Sequence, residues 1–256
     1  MKIKFFTASL PSAAHPEENQ DTFFIDKENN TAGVFDGIGG IAGGKEAATW
    51  TKKCFESSLV LESLESVFRK CHFLLKEKGE AAFGNQVGTT AALVKIYPHE
   101  AEPLVIWGSV GDSRVFRFSS QRLLQISIDD SLIIQALEKG WIDQVKAESI
   151  DQAERLKGFN KVESGLFKSR NVITQALGMG IMEPRIGKFT GKEGDLIILT
   201  SDGVHGNLTK RQIEEILQKN PKNPAKKLAE AAFQVSQGVS LRATQDDITA
   251  VVLKLE

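Results

Sequence analysis

The sequence predicts an α+β fold built on antiparallel sheets, and three observations carry that prediction. Apolar runs of strand length follow one another at 89–97, 104–110 and 114–118, with Gly111 and Asp112 as a hairpin-type turn between the last two. Stretches with helical periodicity are grouped between such runs instead of alternating with each, so a regular parallel βαβ sheet is not indicated. No repeat, low-complexity tract or linker interrupts the 256 residues, a length that suits a single domain over 1–256 with one large core.

The elements are justified in order. Residues 3–10 read as a first strand, and 11–20, polar and holding Pro11 and Pro16, as a loop. Residues 22–25 and 31–35 read as a strand pair joined through turn-rich 26–30. A glycine-rich loop follows. Residues 47–78 are then helical in two pieces, with Leu64, Val67, Phe68, Cys71 and Leu75 at helix spacing and Gly79 as the stop. A short strand is expected at 123–126. From about 130 to 168 the chain changes character: helical patches around Ile133, Leu137, Val145 and Leu156 carry many charges, as in a surface insertion. Strand character returns at 171–174, 185–189 and 195–200. Thr209 and Gln212 fit a capping box ahead of Ile213, Ile216 and Leu217. Asn223 and Pro224 fit an N-cap with proline in the first turn, and 248–255 is the last strand.

Composition excludes several classes. With 32 basic and 33 acidic residues the net charge is −1, which gives no reason to expect a nucleic-acid or membrane-surface partner. Cys54 and Cys71 make neither a disulfide framework nor a zinc site, and both are expected as buried free thiols. The N-terminal stretch lacks a signal-peptide core, and no run approaches the ~20 apolar residues of a membrane span. A reducing, cytoplasmic setting is the default expectation.

The chemistry centres on 34–40, where an apolar run reaches Asp36 and then collapses into glycines. Glycine allows positive φ and close approach of the backbone to a bound group. Other aspartates share the setting: Asp21 before a strand, Asp202 followed by glycine after a strand, Asp246 and Asp247 directly before the last strand, and Asp129 and Asp130 at the start of the insertion. Clustered ionised aspartates are costly unless a cation neutralises them. Oxygen donors without paired His or Cys point to magnesium or manganese, not zinc. Residues 39–45 also have the glycine and lysine spacing of a P-loop. Glu46 stands where that motif needs Ser or Thr, and argues against it.

Seven ordered blocks resemble the metal-dependent PPM/PP2C serine/threonine protein phosphatases in their bacterial form: ENQD at 18–21, VFDGIGG at 34–40, GTTAA at 88–92, GSVGDSR at 108–114, NVITQALG at 171–178, GDLIILTSDGV at 194–204 and QDDITAVV at 245–252. The resemblance implies a four-layer α/β/β/α sandwich, with the insertion as a flap beside the cleft. It implies two Mn²⁺ or Mg²⁺ ions and a third held more weakly. Asp36 would bridge the two, with the Gly37 carbonyl, Asp202 and Asp246 at the first and Asp21 at the second. Asp129 and Asp202 would hold the third. Asp36, Asp202 and Asp246 would be the catalytic set, activating a water for in-line attack on phosphoserine or phosphothreonine, without a phosphoenzyme.

Two departures stand out. Where many relatives have a phosphate-gripping arginine this chain has Pro16, with His15 beside it as a substitute or as a solvent-facing loop residue. Ile38 follows the first Asp-Gly pair, where eukaryotic members carry a histidine, which leaves the leaving-group acid unassigned; His205 is a candidate whose plainer reading is structural. Asp247 stands where asparagine is usual and is read as ordering the loop or sharing ligation. The expected partner is a phosphorylated protein, with a Ser/Thr kinase as counterpart, and the expected state is a monomer. A binding or regulatory module that retains metal without catalysis is the alternative.

Overall fold

Strands rich in β-branched and aromatic residues pair into two five-stranded sheets. The computed structural model describes residues 1–38, 40–59, 62–99 and 102–256. Along the chain it forms β1 (Ile3–Leu10), β2 (Thr22–Asp26), β3 (Thr31–Phe35), the two-residue β4 (Gly37–Ile38), α1 (Gly40–Ser58), α2 (Leu64–Phe83), the two-residue β5 (Gly88–Thr89), β6 (Ala91–Tyr97), β7 (Leu104–Val110), β8 (Arg114–Ser119) and β9 (Arg122–Gln125). Then come α3 (Leu132–Glu138), α4 (Gln144–Asp151), α5 (Lys161–Lys168), β10 (Arg185–Thr190), β11 (Leu196–Thr200), α6 (Asp202–His205), α7 (Lys210–Gln218), α8 (Pro224–Ser236) and β12 (Ile248–Leu255). One sheet has the order β1-β12-β11-β8-β9 and the other β10-β7-β6-β3-β2, with every pair antiparallel.

The period of two along each strand builds the layers. Ile197, Leu199, Val251 and Leu253 point inward and meet Ala32, Val34, Ala92 and Val94 of the other sheet. Their neighbours Ile198, Ala250 and Val252 point outward and bury against Leu228, Ala229 and Ala232 of α8. On the far side Phe24, Phe35 and Leu93 pack against Phe55, Phe68 and Leu75 of α1 and α2. Helices, sheet, sheet and helices therefore stack in four layers. Between β9 and β10, α3, α4 and α5 close over a small core of their own, formed by Ile133, Ala147, Ile150, Ala153 and Phe167.

Four expectations are corrected. Residues 171–174 form no sheet strand; Ile173 makes an isolated bridge to Ser131 and the Thr174 N–H donates to the Asp130 carbonyl, so this β-prone segment pairs with a loop. Gly79 does not end a helix. It lies buried within α2, where a Cβ would come 3.0 Å from the Asn85 carbonyl oxygen, and α2 stops at Gly84, at φ 60°. The helix after Asp36 begins at Gly40, so Gly43, Gly44 and Lys45 are helical and form no phosphate loop; Gly39 lies outside the described residues. Cys54 of α1 and Cys71 of α2 are joined by a disulfide, so the free-thiol expectation fails and lends no support to a reducing setting. Among the described residues no helix is long and apolar enough to cross a membrane.

Candidate metal centre

Antiparallel neighbours place the end of one strand beside the start of the next, and this brings the aspartates together. Asp36 follows β3, Asp202 follows β11, Asp246 precedes β12, and Asp112 lies between β7 and β8. All four line one cleft of about 290 Å³, with Gln20, Gly37, Ile38, Thr90, Asn171 and Ile173. Asp21, just before β2, is buried behind them.

The backbone fixes each carboxylate while leaving oxygens uncommitted. The Asp36 carbonyl accepts from the Thr90 N–H at 2.8 Å and the Thr89 hydroxyl at 2.8 Å, which holds the residue by its main chain. Asp21 accepts from the Ser201 hydroxyl at 2.6 Å through Oδ2, but its buried Oδ1 has no partner. Asp202 Oδ1 is likewise buried without a partner. Asp247 is different: its two oxygens accept the N–H groups of Ser12 and Gln20 at 2.7 Å each. It orders the loop that carries Asp21.

Both Asp-Gly pairs need glycine for the same steric reason. A Cβ at Gly37 would run into the Gly44 carbonyl, and one at Gly203 into the Asp247 carbonyl. Neither glycine has positive φ. Close backbone approach, not a left-handed turn, is what these positions require.

The electrostatics are severe. Burial holds the Asp36 carboxyl well above the ordinary carboxylate range, and Asp21, Asp202 and Asp246 push the same way. Burial does the same to Asp202, reinforced by Asp246 and Asp112. Asp21 is raised well above its ordinary value and Asp246 is raised, in each case by burial first. Asp112 is pushed up to about 7 by burial and by Asp129, against Arg114. Like charges this close need a proton or a cation. The donor set is oxygen only and includes two orphaned carboxylate oxygens, which fits a hard divalent ion. It is not a finished cage: among the described residues no three Asp, Glu, His or Cys side chains already surround one point. Hard ions that keep several waters need few direct protein ligands.

Other expected site residues lie elsewhere. His15 does not line the cleft. Its Nδ1 meets the Glu18 carbonyl at 2.9 Å and lies 3.7 Å from Asp247, so the ring is tied to its own loop. Asp129 accepts from Arg114 Nε at 3.1 and 3.0 Å, from Arg114 Nη2 at 2.6 Å and from Gln125 at 2.8 Å. Its carboxylate is committed to that guanidinium. His205 is buried, bonded through Nδ1 to the Thr200 hydroxyl at 2.8 Å, and held well below its ordinary pKa by burial and Arg114. It is a neutral structural residue.

Sequence reasoning missed Asp112 as a cleft residue, because an Asp after Gly between two strands reads as a turn. The available signal was the setting it shares with Asp36 and Asp202, an aspartate beside glycine at the end of an apolar strand. Asn171 was also missed. Expected at the start of a strand, it stands instead at the cleft.

Two sheets sandwiched between helices, with carboxylates converging on one cleft, are the features by which the chain can be compared with known proteins. The chain is similar to a putative protein phosphatase 2C-type of Streptococcus pyogenes, 26% identical over 215 residues that cover 78% of each protein. In fold it is similar to the serine/threonine phosphatase PstP/Ppp of Mycobacterium tuberculosis, with a TM-score of 0.78 at 21% identity and full coverage of both chains. It is also similar to the catalytic domain of PstP in complex with two manganese ions, with a TM-score of 0.76 at 20% identity and 99% of each chain covered. No protein-family model matches the chain. In sequence it is thus similar to a protein named as a protein phosphatase 2C-type, and in fold to solved bacterial serine/threonine phosphatases.

Proposed function

We propose that the protein hydrolyses phosphoserine and phosphothreonine on other proteins, with two Mn²⁺ or Mg²⁺ ions at the Asp36 cleft. The observation that carries this reading is the convergence of Asp36, Asp112, Asp202 and Asp246 on one cleft, with a buried oxygen of Asp202, and one of nearby Asp21, without a partner among the described residues. Asp36, the Gly37 carbonyl, Asp202, Asp246 and Asp21 would hold the two ions. A third, weaker position passes from Asp129 to Asp112, since Asp129 is bound to Arg114 and Asp112 stands open beside Asp202. Bound there, the ions supply Lewis acidity towards phosphoryl oxygens and lower the pKa of water. Asp36 and Asp202, fixed at strand ends, orient what they hold. Thr90, Gln20 and Asn171 wall the cleft with neutral polar groups, and among the described residues no Lys or Arg lines it. A phosphate dianion therefore depends on the cations for charge, which makes cation dependence strict.

The test is hydrolysis of a phosphothreonine peptide and of a small aryl phosphate, with Mn²⁺ and with EDTA. Activity should vanish with EDTA and fall by a factor on the order of 10²–10⁴ in Asp36→Asn. Turnover in EDTA, or an Asp36→Asn protein as active as the parent, overturns the reading.

A further inference from the structure

We infer that Asp151, at the end of α4, is a positioning residue for the cleft, through which the seating of the α3–α5 insertion sets the cation affinity of Asp112 and Asp202. The inference rests on the cation reading of the cleft above.

Two arms run from this residue to the two carboxylates. In the first, the Asp151 carboxylate accepts from Arg114 Nη2 at 2.7 Å and from Nη1 at 3.3 Å. Arg114 opens β8, two residues after Asp112, and its other edge grips Asp129. One buried guanidinium thus carries two carboxylates, one from the body of the protein and one from the insertion. In the second arm, Arg242 Nη1 donates to the Asp151 carbonyl at 2.6 Å and to the Ala153 carbonyl at 3.3 Å, while Nη2 donates to the His205 carbonyl at 2.7 Å. His205 ends the short helix that starts at Asp202. Asp112, Arg114, Asp129, Asp151, Arg170, Asp202 and Arg242 surround one small buried cavity next to the cleft.

Charge balance gives the direction of the effect. Arg114, Arg170 and Arg242 are all close to this cavity, and Asp129 and Asp151 are the carboxylates that answer them outside the cleft. Burial pushes the Asp151 carboxyl up, but Arg114, Gln152 and Arg242 outweigh it and hold it at about 2, so it stays ionised. Without that charge, less negative charge answers the arginines beside Asp112 and Asp202, and Arg114, still held by Asp129, loses the partner of its Nη1 and has that donor to offer elsewhere. Both changes compete with a cation. By linkage, a cation bound at these carboxylates must in turn favour the seated insertion. The surface pair of Glu148 and Lys210, at 3.4 Å, also joins α4 to the body but touches neither arm.

The experiment measures Mn²⁺ binding by calorimetry and backbone hydrogen exchange of 132–168 in the full chain, for the parent, Asp151→Asn, Asp151→Glu and Glu148→Gln. In the parent, Mn²⁺ should slow exchange across α3–α5. Asp151→Asn should weaken the weakest Mn²⁺ step by roughly fivefold or more and abolish the slowing, within the usual range of coupling between sites. Asp151→Glu should restore part of both, and Glu148→Gln should match the parent. Circular dichroism of Asp151→Asn guards against global unfolding, and Asp151→Glu keeps the test open if that variant fails to fold. Equal Mn²⁺ binding by the parent and Asp151→Asn overturns the inference alone, and so does a loss in Glu148→Gln as large as in Asp151→Asn. A parent that binds no Mn²⁺ overturns the cleft reading and the inference together.

Discussion

Asp112 is the residue on which the cleft's charge turns. Its carboxyl is pushed up to about 7, by burial first and then by Asp129. An ionised Asp112 therefore costs folding free energy until a cation arrives. Asp112→Asn should raise the Mn²⁺ concentration for half-maximal activity at least about tenfold, if a carboxylate ligand is what is lost. The same substitution should leave the metal-free protein at pH 8 no less stable, and more stable by on the order of 1 kcal/mol, because a strained acid is replaced by a neutral amide. Thermal melts in EDTA check the second half, and a lower Tm for the variant would contradict it. His15 makes the opposite case. Its hydrogen bond to the Glu18 carbonyl raises its pKa, and it is a loop fastener beside Asp247. His15→Ala should change KM for a phosphopeptide by less than about twofold, as expected of a half-exposed ring bonded to its own loop. A several-fold rise in KM would return the ring to the substrate.

The short helix α6 is joined to the loop before β12 by backbone contact. Gly203 lies against the Asp247 carbonyl, and a Cβ there would also meet Ile248. Gly203→Ala should cost roughly 1–3 kcal/mol, as overpacking does. It should also weaken Mn²⁺ binding, since it pries apart the segments that carry Asp202 and Asp246. Denaturant melts and calorimetry measure the two effects, and a variant neutral in both would remove the steric account of the second Asp-Gly pair. That account was not legible in the sequence. The strands at 3–10, 31–35, 104–110 and 248–255 were, because each is a largely apolar run of strand length, as suits a sheet covered on both faces. So were the caps at Thr209 and Asn223, which are local. Asp36, Asp202 and Asp246 were legible because each ends or begins such a strand. The segment 171–174 misled because its β-branched residues are answered by a loop. Gly79 misled because its reason lies in the chain at 85–87, and Asp112 because a turn explains the same two letters. The deciding partner of 171–174, at 130–131, is far away in sequence, whereas that of Gly79 lies just past the end of its own helix.

Taken together, the buried acids make the stability of the whole molecule a reporter of the cleft. In the metal-free protein Asp36, Asp21 and Asp202 sit well above the ordinary carboxylate range, Asp246 is raised, and Asp112 titrates at about 7. A carboxyl with a raised folded pKa binds more protons folded than unfolded above its ordinary value. Its contribution is present at low pH and is lost as pH rises through the folded pKa. Metal-free stability should therefore fall between pH 7 and 8.5. The window must lie above 6.5, because His205 and His72 are held below that ordinary value by burial and act in the opposite sense beneath it. Asp151, held at about 2, loses its contribution only as pH falls towards that value and does not enter. A divalent cation needs the same oxygens deprotonated, so its binding releases protons and tightens as pH rises. Melts at pH 7 and 8.5 should then show a lower Tm at pH 8.5 in EDTA, and a larger upward shift on adding Mn²⁺ at pH 8.5 than at pH 7. If Tm in EDTA climbs across this window, or the Mn²⁺ shift shrinks, then the acids of the cleft are not the set whose burial and mutual repulsion on ionisation hold their protons above the ordinary range.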